Sequence, residues 1–137
     1  MRTFDHVDLR VKNIAEADVF YGILLPALGF PTRGVTAHCI YYEMASGHPK
    51  PEFVALIEDR THKPNATRIA FWRNTKEEVD ALVPVVARAA AKNIEGPMFC
   101  PEYTPTYYAL FFEDPCGNKL EICCRTAKHD KQAAHSD

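Results

Sequence analysis

The 137-residue sequence lacks a surplus of either charge, since 16 lysine and arginine residues face 18 aspartate and glutamate residues, a net charge of −2. A chain without a basic surplus has no long-range attraction for nucleic acid or for an anionic membrane surface. It also lacks any apolar run that approaches the roughly 20 residues of a membrane-spanning helix. We therefore expect neither nucleic acid nor a membrane among its partners.

The sequence also lacks a charged and apolar leader, because the strand-like segment Thr3–Val11 begins almost at once. Its five cysteines are an odd number and form no C-x-x-C pair. The adjacent Cys123 and Cys124 would point to opposite faces of a strand. These features argue against a disulfide framework and against a structural zinc site. We expect reduced thiols in a cytoplasmic protein.

A strand followed by a capped helix occupies the beginning of the chain. The strand is Thr3–Val11, in which apolar residues alternate with polar ones. Asn13 has the right side chain to cap the next helix, and Glu16 lies at the third helical position, as in a capping box. Apolar residues then recur at helical spacing until Gly29, which ends the helix.

The same pattern recurs 62 residues later, which indicates a duplicated module. Thr67–Trp72 is the second strand, and apolar residues at helical spacing follow it. The constant offset joins three pairs of residues: Asn13 and Thr75, Glu16 and Glu78, Asp18 and Asp80.

Further strands complete each module. In the first module they are predicted at Thr36–Ala45 and Glu52–Ile57. In the second they are predicted at Tyr107–Glu113 and Lys119–Cys124, joined by the turn Asp114–Asn118, whose Asp-Pro and Gly-Asn pairs favour a hairpin.

These elements predict an α+β fold in one domain, residues 1–125, a usual length for a single domain. Module one covers about residues 3–58 and module two about residues 66–125. The polar residues 126–137 are expected to form a flexible tail.

Four phrases of the sequence together carry a resemblance to a known family: DHVDLRV followed by a capped helix that ends in ALGF, RIAF followed by EEVDAL, PEYTPTYYALFF, and DPCGNKLEI. With these phrases the chain resembles the vicinal oxygen chelate superfamily, which contains glyoxalase I, bleomycin-resistance proteins and extradiol dioxygenases. The resemblance runs from about residue 4 to 124. It implies two βαβββ modules whose curved mixed sheets form a cleft for a small molecule, and a homodimer.

The resemblance also implies one divalent metal ion, Zn, Fe, Mn or Ni, in the cleft. Its ligands would be His6 and Glu121, and Glu121 would also be catalytic. The family usually has a second histidine where this chain has Arg68. A guanidinium group has no lone pair for a metal and would be repelled by it. We expect Arg68 to donate a bidentate pair to Glu121 or to bind an anionic ligand. Asp8, on the strand face of His6, is a candidate replacement ligand.

Two functions therefore stay open. The first is a metal-dependent lyase, isomerase or dioxygenase that acts on a small oxygenated substrate. The second is a metal-free protein that binds a small molecule, with Arg68, Trp72, Tyr108 and Asp8 as ligand-binding residues. In both, the segment Gly96–Thr106 would cover the cleft as a lid. A third reading, a vestigial cleft in a self-associating protein, is also open.

Overall fold

A computed structural model describes residues 2–45, 47 and 49–129. Its elements form two modules, each with one strand, one helix and three further strands, as the family resemblance implies. The first module contains β1 (His6–Val11), α1 (Ile14–Ala27), β2 (Thr32–Val35), β3 (Ile40–Glu43) and β4 (Phe53–Glu58). The second contains β5 (Arg68–Trp72), α2 (Lys76–Arg88), β6 (Lys92–Phe99), β7 (Tyr108–Glu113) and β8 (Lys119–Cys124).

Each module forms one mixed sheet of four strands. The strand order is β1-β4-β3-β2 in the first sheet and β5-β8-β7-β6 in the second. The first strand of each module pairs in parallel with the last, and the other pairs are antiparallel. The predicted α+β fold of two modules is therefore confirmed. No helix in the described ranges is long and apolar enough to cross a membrane.

Both helices begin where the repeat predicts. The Asn13 side chain accepts a hydrogen bond from the backbone N–H of Glu16, and Thr75 forms a complete capping box with Glu78. The helices pack against each other and against one face of the sheets. The helices and the sheets enclose one continuous core. It is filled by large buried side chains from both modules, among them Phe20, Leu24, Val86 and Leu110.

The duplicated aspartates Asp18 and Asp80 fasten each helix to its own sheet. Tyr42 on β3 donates a hydrogen bond to Asp18 at 2.6 Å, and Tyr108 on β7 donates one to Asp80 at 2.5 Å. Burial, and then these hydrogen bonds to a carboxylate, raise the pKa of both phenols from 10.0 to about 12. The repeat therefore preserves a tertiary contact as well as a helix cap.

A buried carboxylate joins the two modules. Asp114, in the turn between β7 and β8, is 1% exposed and accepts a 2.7 Å hydrogen bond from Tyr21 on α1. Its other oxygen accepts the backbone N–H groups of residues 116, 117 and 118. Gly117 has φ +101°, a conformation that the tight turn requires and that favours glycine.

The neighbouring Asn118 extends this junction. Its amide nitrogen donates to Asp114 and to the carbonyl of Arg10 on β1, both at 2.8 Å. Its amide oxygen contacts Nε2 of His62, in the segment between the modules, at 2.7 Å. One turn of the second module therefore holds a helix and a strand of the first, together with the linker.

Two strands differ from the sequence-based expectation. Residues Thr36–Cys39, predicted as strand, form a turn in which the Thr36 hydroxyl accepts backbone N–H groups, and the strand β2 precedes them. The first part of the predicted lid, Gly96–Phe99, belongs to β6, an edge strand whose register shifts twice against β7. Edge strands tolerate proline and irregular pairing, so the Gly-Pro pair is compatible with a strand at this position.

Part of the expected tail packs against the second module. Ala127 is buried and its backbone N–H donates to the carbonyl of Thr106. The His129 ring stacks on Phe99 with ring centroids 4.0 Å apart, and its Nε2 lies 2.8 Å from the Pro105 carbonyl oxygen. Residues 130–137, the rest of the expected tail, lie outside the described residues.

Because the folded protein holds the protons of Tyr42 and Tyr108 up to about pH 12, we expect alkaline destabilisation. Above pH 10 the unfolded chain binds fewer protons than the folded one, so the free energy of unfolding should fall as pH rises to 12. Urea unfolding at pH 8 to 11.5 measures this slope. The double variant Tyr42→Phe, Tyr108→Phe should show a shallower slope. Tyr103→Phe, which changes an exposed side chain, is the matched control. Equal slopes in all three proteins would contradict the expectation.

Candidate functional site

The faces of the two sheets that point away from the helices carry most of the site residues expected from sequence. Side chains alternate along a strand, so His6 and Asp8 share one face of β1, and Arg68 and Trp72 share one face of β5. Glu121 on β8 is the register partner of Ala70 and therefore lies on the same face as Arg68. We call these faces the open faces.

A cavity of about 310 Å³ lies where β1 and β4 of the first module approach β5 of the second. We call it the inter-module cavity. His6 and Arg68, related by the 62-residue repeat, both line it. Four phenylalanines contribute to its walls: Phe4, Phe30, Phe53 and Phe71. Glu121 is not part of this lining.

The His6 imidazole is held by carboxylates and by a ring. Its Nδ1 lies 2.8 Å from Oδ2 of Asp5, and its Nε2 lies 3.5 Å from Oδ1 of Asp8. The ring stacks on Phe53 with centroids 4.6 Å apart and planes 2° apart. The hydrogen bond with His6 is the main cause that lowers the pKa of Asp5. Both ring nitrogens of His6 therefore already face an acceptor.

The Arg68 guanidinium lies over an aromatic ring instead of a carboxylate. Its central carbon is 4.9 Å from the centroid of Phe111 on β7. The expected ion pair with Glu121 is not formed, and no other described carboxylate pairs with Arg68. The sheet register explains this, because Arg68 is opposite Lys119 while Glu121 is opposite Ala70. A cation over a ring face is weakly stabilised and keeps its hydrogen-bond donors available.

Glu121 instead accepts a hydrogen bond from a tyrosine. Its carboxylate is 5% exposed and lies 2.5 Å from the hydroxyl of Tyr107. Burial, followed by this hydrogen bond, raises the pKa of Tyr107 well above its ordinary value. Cys100 and Cys123 pack beside them around Ala109, and burial is the main cause that raises the pKa of both thiols. Such thiols are poor nucleophiles near neutral pH.

The side chains of this region do not fit the metal ion that the resemblance implies. The described residues contain no group of three histidine, cysteine, aspartate or glutamate side chains that could share one ion. His6 lines the inter-module cavity, whereas Glu121 is hydrogen-bonded to Tyr107 on the second sheet. Arg68, the repeat equivalent of His6, is a cation that has no lone pair to offer a metal ion.

The two aromatic residues expected in the cleft lie on different faces. Trp72 is half exposed on the open face, where its indole N–H donates to Asn74 at 2.7 Å. Tyr108 is 6% exposed and points to α2, so the expectation that it lines the cleft is corrected. The alternation of β7 places its neighbour Tyr107 on the open face instead. The phase of that alternation could have identified Tyr107 once Leu110 was assigned to the core.

A second cavity, of about 230 Å³, lies on the open face of the second sheet, and we call it the outer-sheet cavity. Arg68 and Phe111 line it together with residues of β6 and of the segment after it, such as Glu95 and Tyr103. Arg68 therefore contributes to both cavities. Phe111 and Tyr103 were not identified from the sequence. The sequence does not reveal that β7 and the segment after β6 lie next to Arg68.

Comparison with known proteins agrees with the fold. The model of the Glyoxalase/Bleomycin resistance protein/Dioxygenase superfamily matches residues 3–122. A search of curated proteins found no significant match. A glyoxalase/bleomycin resistance protein from Albidiferax ferrireducens has a similar structure, with 22% sequence identity and a TM-score of 0.68 over 89% of this chain and 98% of that one.

Two further solved structures of similar shape carry more specific descriptions. The fosfomycin resistance protein of Listeria monocytogenes is 14% identical, with a TM-score of 0.66 over 96% of this chain and 98% of that one. Lactoylglutathione lyase from Agrobacterium tumefaciens is 15% identical, with a TM-score of 0.62 over 88% of this chain and 92% of that one. At such identities the similarity shows the fold alone.

Removal of the Tyr107 hydroxyl should destabilise the protein, because the buried Glu121 carboxylate would lose its hydrogen-bond donor. We expect Tyr107→Phe to lower the free energy of unfolding at pH 7 by about 1.5–3 kcal/mol, the usual range for a hydrogen bond to a charged group. Tyr103→Phe, whose ring contacts Tyr107 edge-on but whose side chain is exposed, should change it by less than about 0.5 kcal/mol. Urea denaturation of the three proteins gives these values, and equal losses in both variants would contradict the role given to Tyr107.

Proposed function

The chain belongs to the Glyoxalase/Bleomycin resistance protein/Dioxygenase superfamily, and from that premise we propose that it binds a small molecule in the inter-module cavity without a metal ion. Of the ligand-binding residues proposed on the open faces, Arg68 lines this cavity, whereas Trp72 and Asp8 lie outside its lining and would contact only a part of the ligand that extends beyond it. Tyr108 is left out because its ring packs against α2.

The proposal rests on the position and the positive charge of the Arg68 side chain. Arg68 lines the same cavity as His6, the residue expected to coordinate a metal ion. Two charges of the same sign a few ångströms apart repel each other by several kcal/mol even at an effective dielectric constant of about 20. The same guanidinium favours an anionic group of a ligand, to which it can donate two parallel hydrogen bonds.

The other polar groups have structural roles that suit a binding protein. His6 is fixed by Asp5 and by stacking on Phe53, so it presents a defined surface to the cavity. Glu121 and Tyr107 are hydrogen-bonded to each other on the second sheet. A pocket with mostly apolar walls and a few fixed polar groups is the usual form of a small-molecule site.

A metal-dependent lyase, isomerase or dioxygenase is the second candidate function. It is favoured by Asp8, whose carboxylate lies 3.5 Å from Nε2 of His6 and could supply an oxygen ligand beside that nitrogen. In this reading His6 and Glu121 would be the other metal ligands and Glu121 would be catalytic. Arg68 would then have to turn away from the ion. The first candidate needs no such rearrangement.

A homodimer in the cytoplasm is proposed as the state in which the protein acts. The superfamily membership supports the pairing of modules across subunits. The near-neutral charge balance supports a small molecule as the partner in preference to nucleic acid.

The metal content of the protein tests this proposal. The untagged protein is purified from rich medium without chelators, and transition metals are measured per chain, with Arg68→His in parallel. We expect well below one metal ion per chain in the native protein and a clear gain in Arg68→His, because that substitution removes a cation and adds a ligand. Arg60→His adds a histidine at a side chain that is 85% exposed and is the matched control.

Close to one metal ion per chain in the native protein would contradict the proposal and favour the second candidate. Equal uptake by Arg60→His and Arg68→His would show that any added histidine binds metal. Metal uptake by Arg68→His would then say nothing specific about the site at residue 68.

A further inference from the structure

Arg68 lies at the junction of two cavities that differ in character. The inter-module cavity on one side of it has the four phenylalanines in its walls. The outer-sheet cavity on the other side is lined by charged and amide side chains, among them Glu102, Asn93 and Lys119. A ligand that reaches Arg68 from the apolar side would therefore present its charged end toward the polar side.

The walls of the inter-module cavity suit a flat ring. Phe30 and Phe71 meet edge to face, with centroids 6.5 Å apart and planes at 73°. His6 and Phe53, which also line the cavity, stack in parallel. Aromatic rings prefer edge-to-face and offset-stacked neighbours, and such pairs are stabilised beyond the area that they bury.

The charges around Arg68 select a single negative charge. Asp5 is paired with His6 and with Arg2, and in the outer-sheet cavity Lys119 is paired with Glu113 at 3.2 Å. Among the cations of the two cavity linings, Arg68 is therefore the one that forms no ion pair with a described carboxylate. A second negative charge on the ligand would be repelled by the carboxylates of Asp5 and Glu52 in the inter-module cavity and by those of Glu95 and Glu102 in the outer-sheet cavity.

We propose that the ligand is a planar aromatic monoanion, with its ring in the inter-module cavity and its carboxylate hydrogen-bonded to the Arg68 guanidinium. This rests on the proposed function and names its ligand class. The ring replaces water against the phenylalanine walls, and the carboxylate takes two parallel N–H donors of the guanidinium. A volume of about 310 Å³ is large enough for one or two fused rings.

Isothermal titration calorimetry with three probes tests the ligand class on the native protein. The probes are 2-naphthoate, the neutral 2-naphthamide of the same shape, and acetate, which has the charge without the ring. We expect 2-naphthoate to bind about ten- to a hundredfold more tightly than 2-naphthamide, which lacks the charge-assisted pair. Acetate should not bind measurably.

Two variants locate the site. Arg68→Gln should weaken 2-naphthoate binding by a similar factor and leave 2-naphthamide binding almost unchanged. Lys119→Gln removes the other cation of the outer-sheet cavity and should leave the binding of both probes close to native. Thermal unfolding checks that both variants fold. The comparison of the probes on the native protein stays decisive if Arg68→Gln does not fold.

Absence of 2-naphthoate binding, equal affinity for 2-naphthoate and 2-naphthamide, or an equal loss in the two variants would overturn the proposal. Metal content measured on the same samples separates this failure from failure of the proposed function. A metal-free protein that rejects 2-naphthoate has another ligand class. A metal-loaded protein contradicts the proposed function whatever it binds.

Discussion

The buried carboxylate of Asp114 is the constraint on which the arrangement of the two modules depends. A charge removed from water must be compensated by hydrogen bonds, and here they come from the turn itself, from Asn118 and from Tyr21 of the other module. Asn118 also holds β1 and the linker that leads to β5. These contacts help to place β1 near β5, where the inter-module cavity lies. The DPCGN phrase is therefore a structural element of the binding site, although it lies far from the cavity in sequence.

The internal repeat explains what the two modules share and where they differ. The helix caps and the contacts of Asp18 and Asp80 with tyrosines recur, since each module needs its helix fastened to its sheet. His6 and Arg68 occupy equivalent strand positions but differ in chemistry. The packing contacts are thus kept in both copies, whereas the two side chains that meet at the cavity have diverged. The guanidinium at the second of these positions suits an anion better than it suits a cation.

Local signals made much of the fold predictable from sequence. Helix caps, the constant offset and the Asp-Pro-x-Gly-Asn turn are read within a few residues, and β8 begins and ends where predicted. Contacts that depend on strand register were not predictable in the same way. The expected pair of Arg68 and Glu121 fails by two register positions, and the choice of Tyr108 over Tyr107 fails by one residue of alternation. β6 was missed because Gly96 and Pro97 resemble a turn when the edge position of the strand is unknown.

The irregular edge formed by β6 has a consequence for how copies of this chain can meet. An edge strand with unpaired N–H and C=O groups can template further strands, which leads to fibrous assembly. Pro97 lacks an N–H group, and the register shifts of β6 break the regular spacing that a new strand would need. This end of the second sheet is therefore poorly suited to growth by strand addition. A specific contact between copies at this edge would have to use side chains, whose shape and charge can restrict it to a finite assembly.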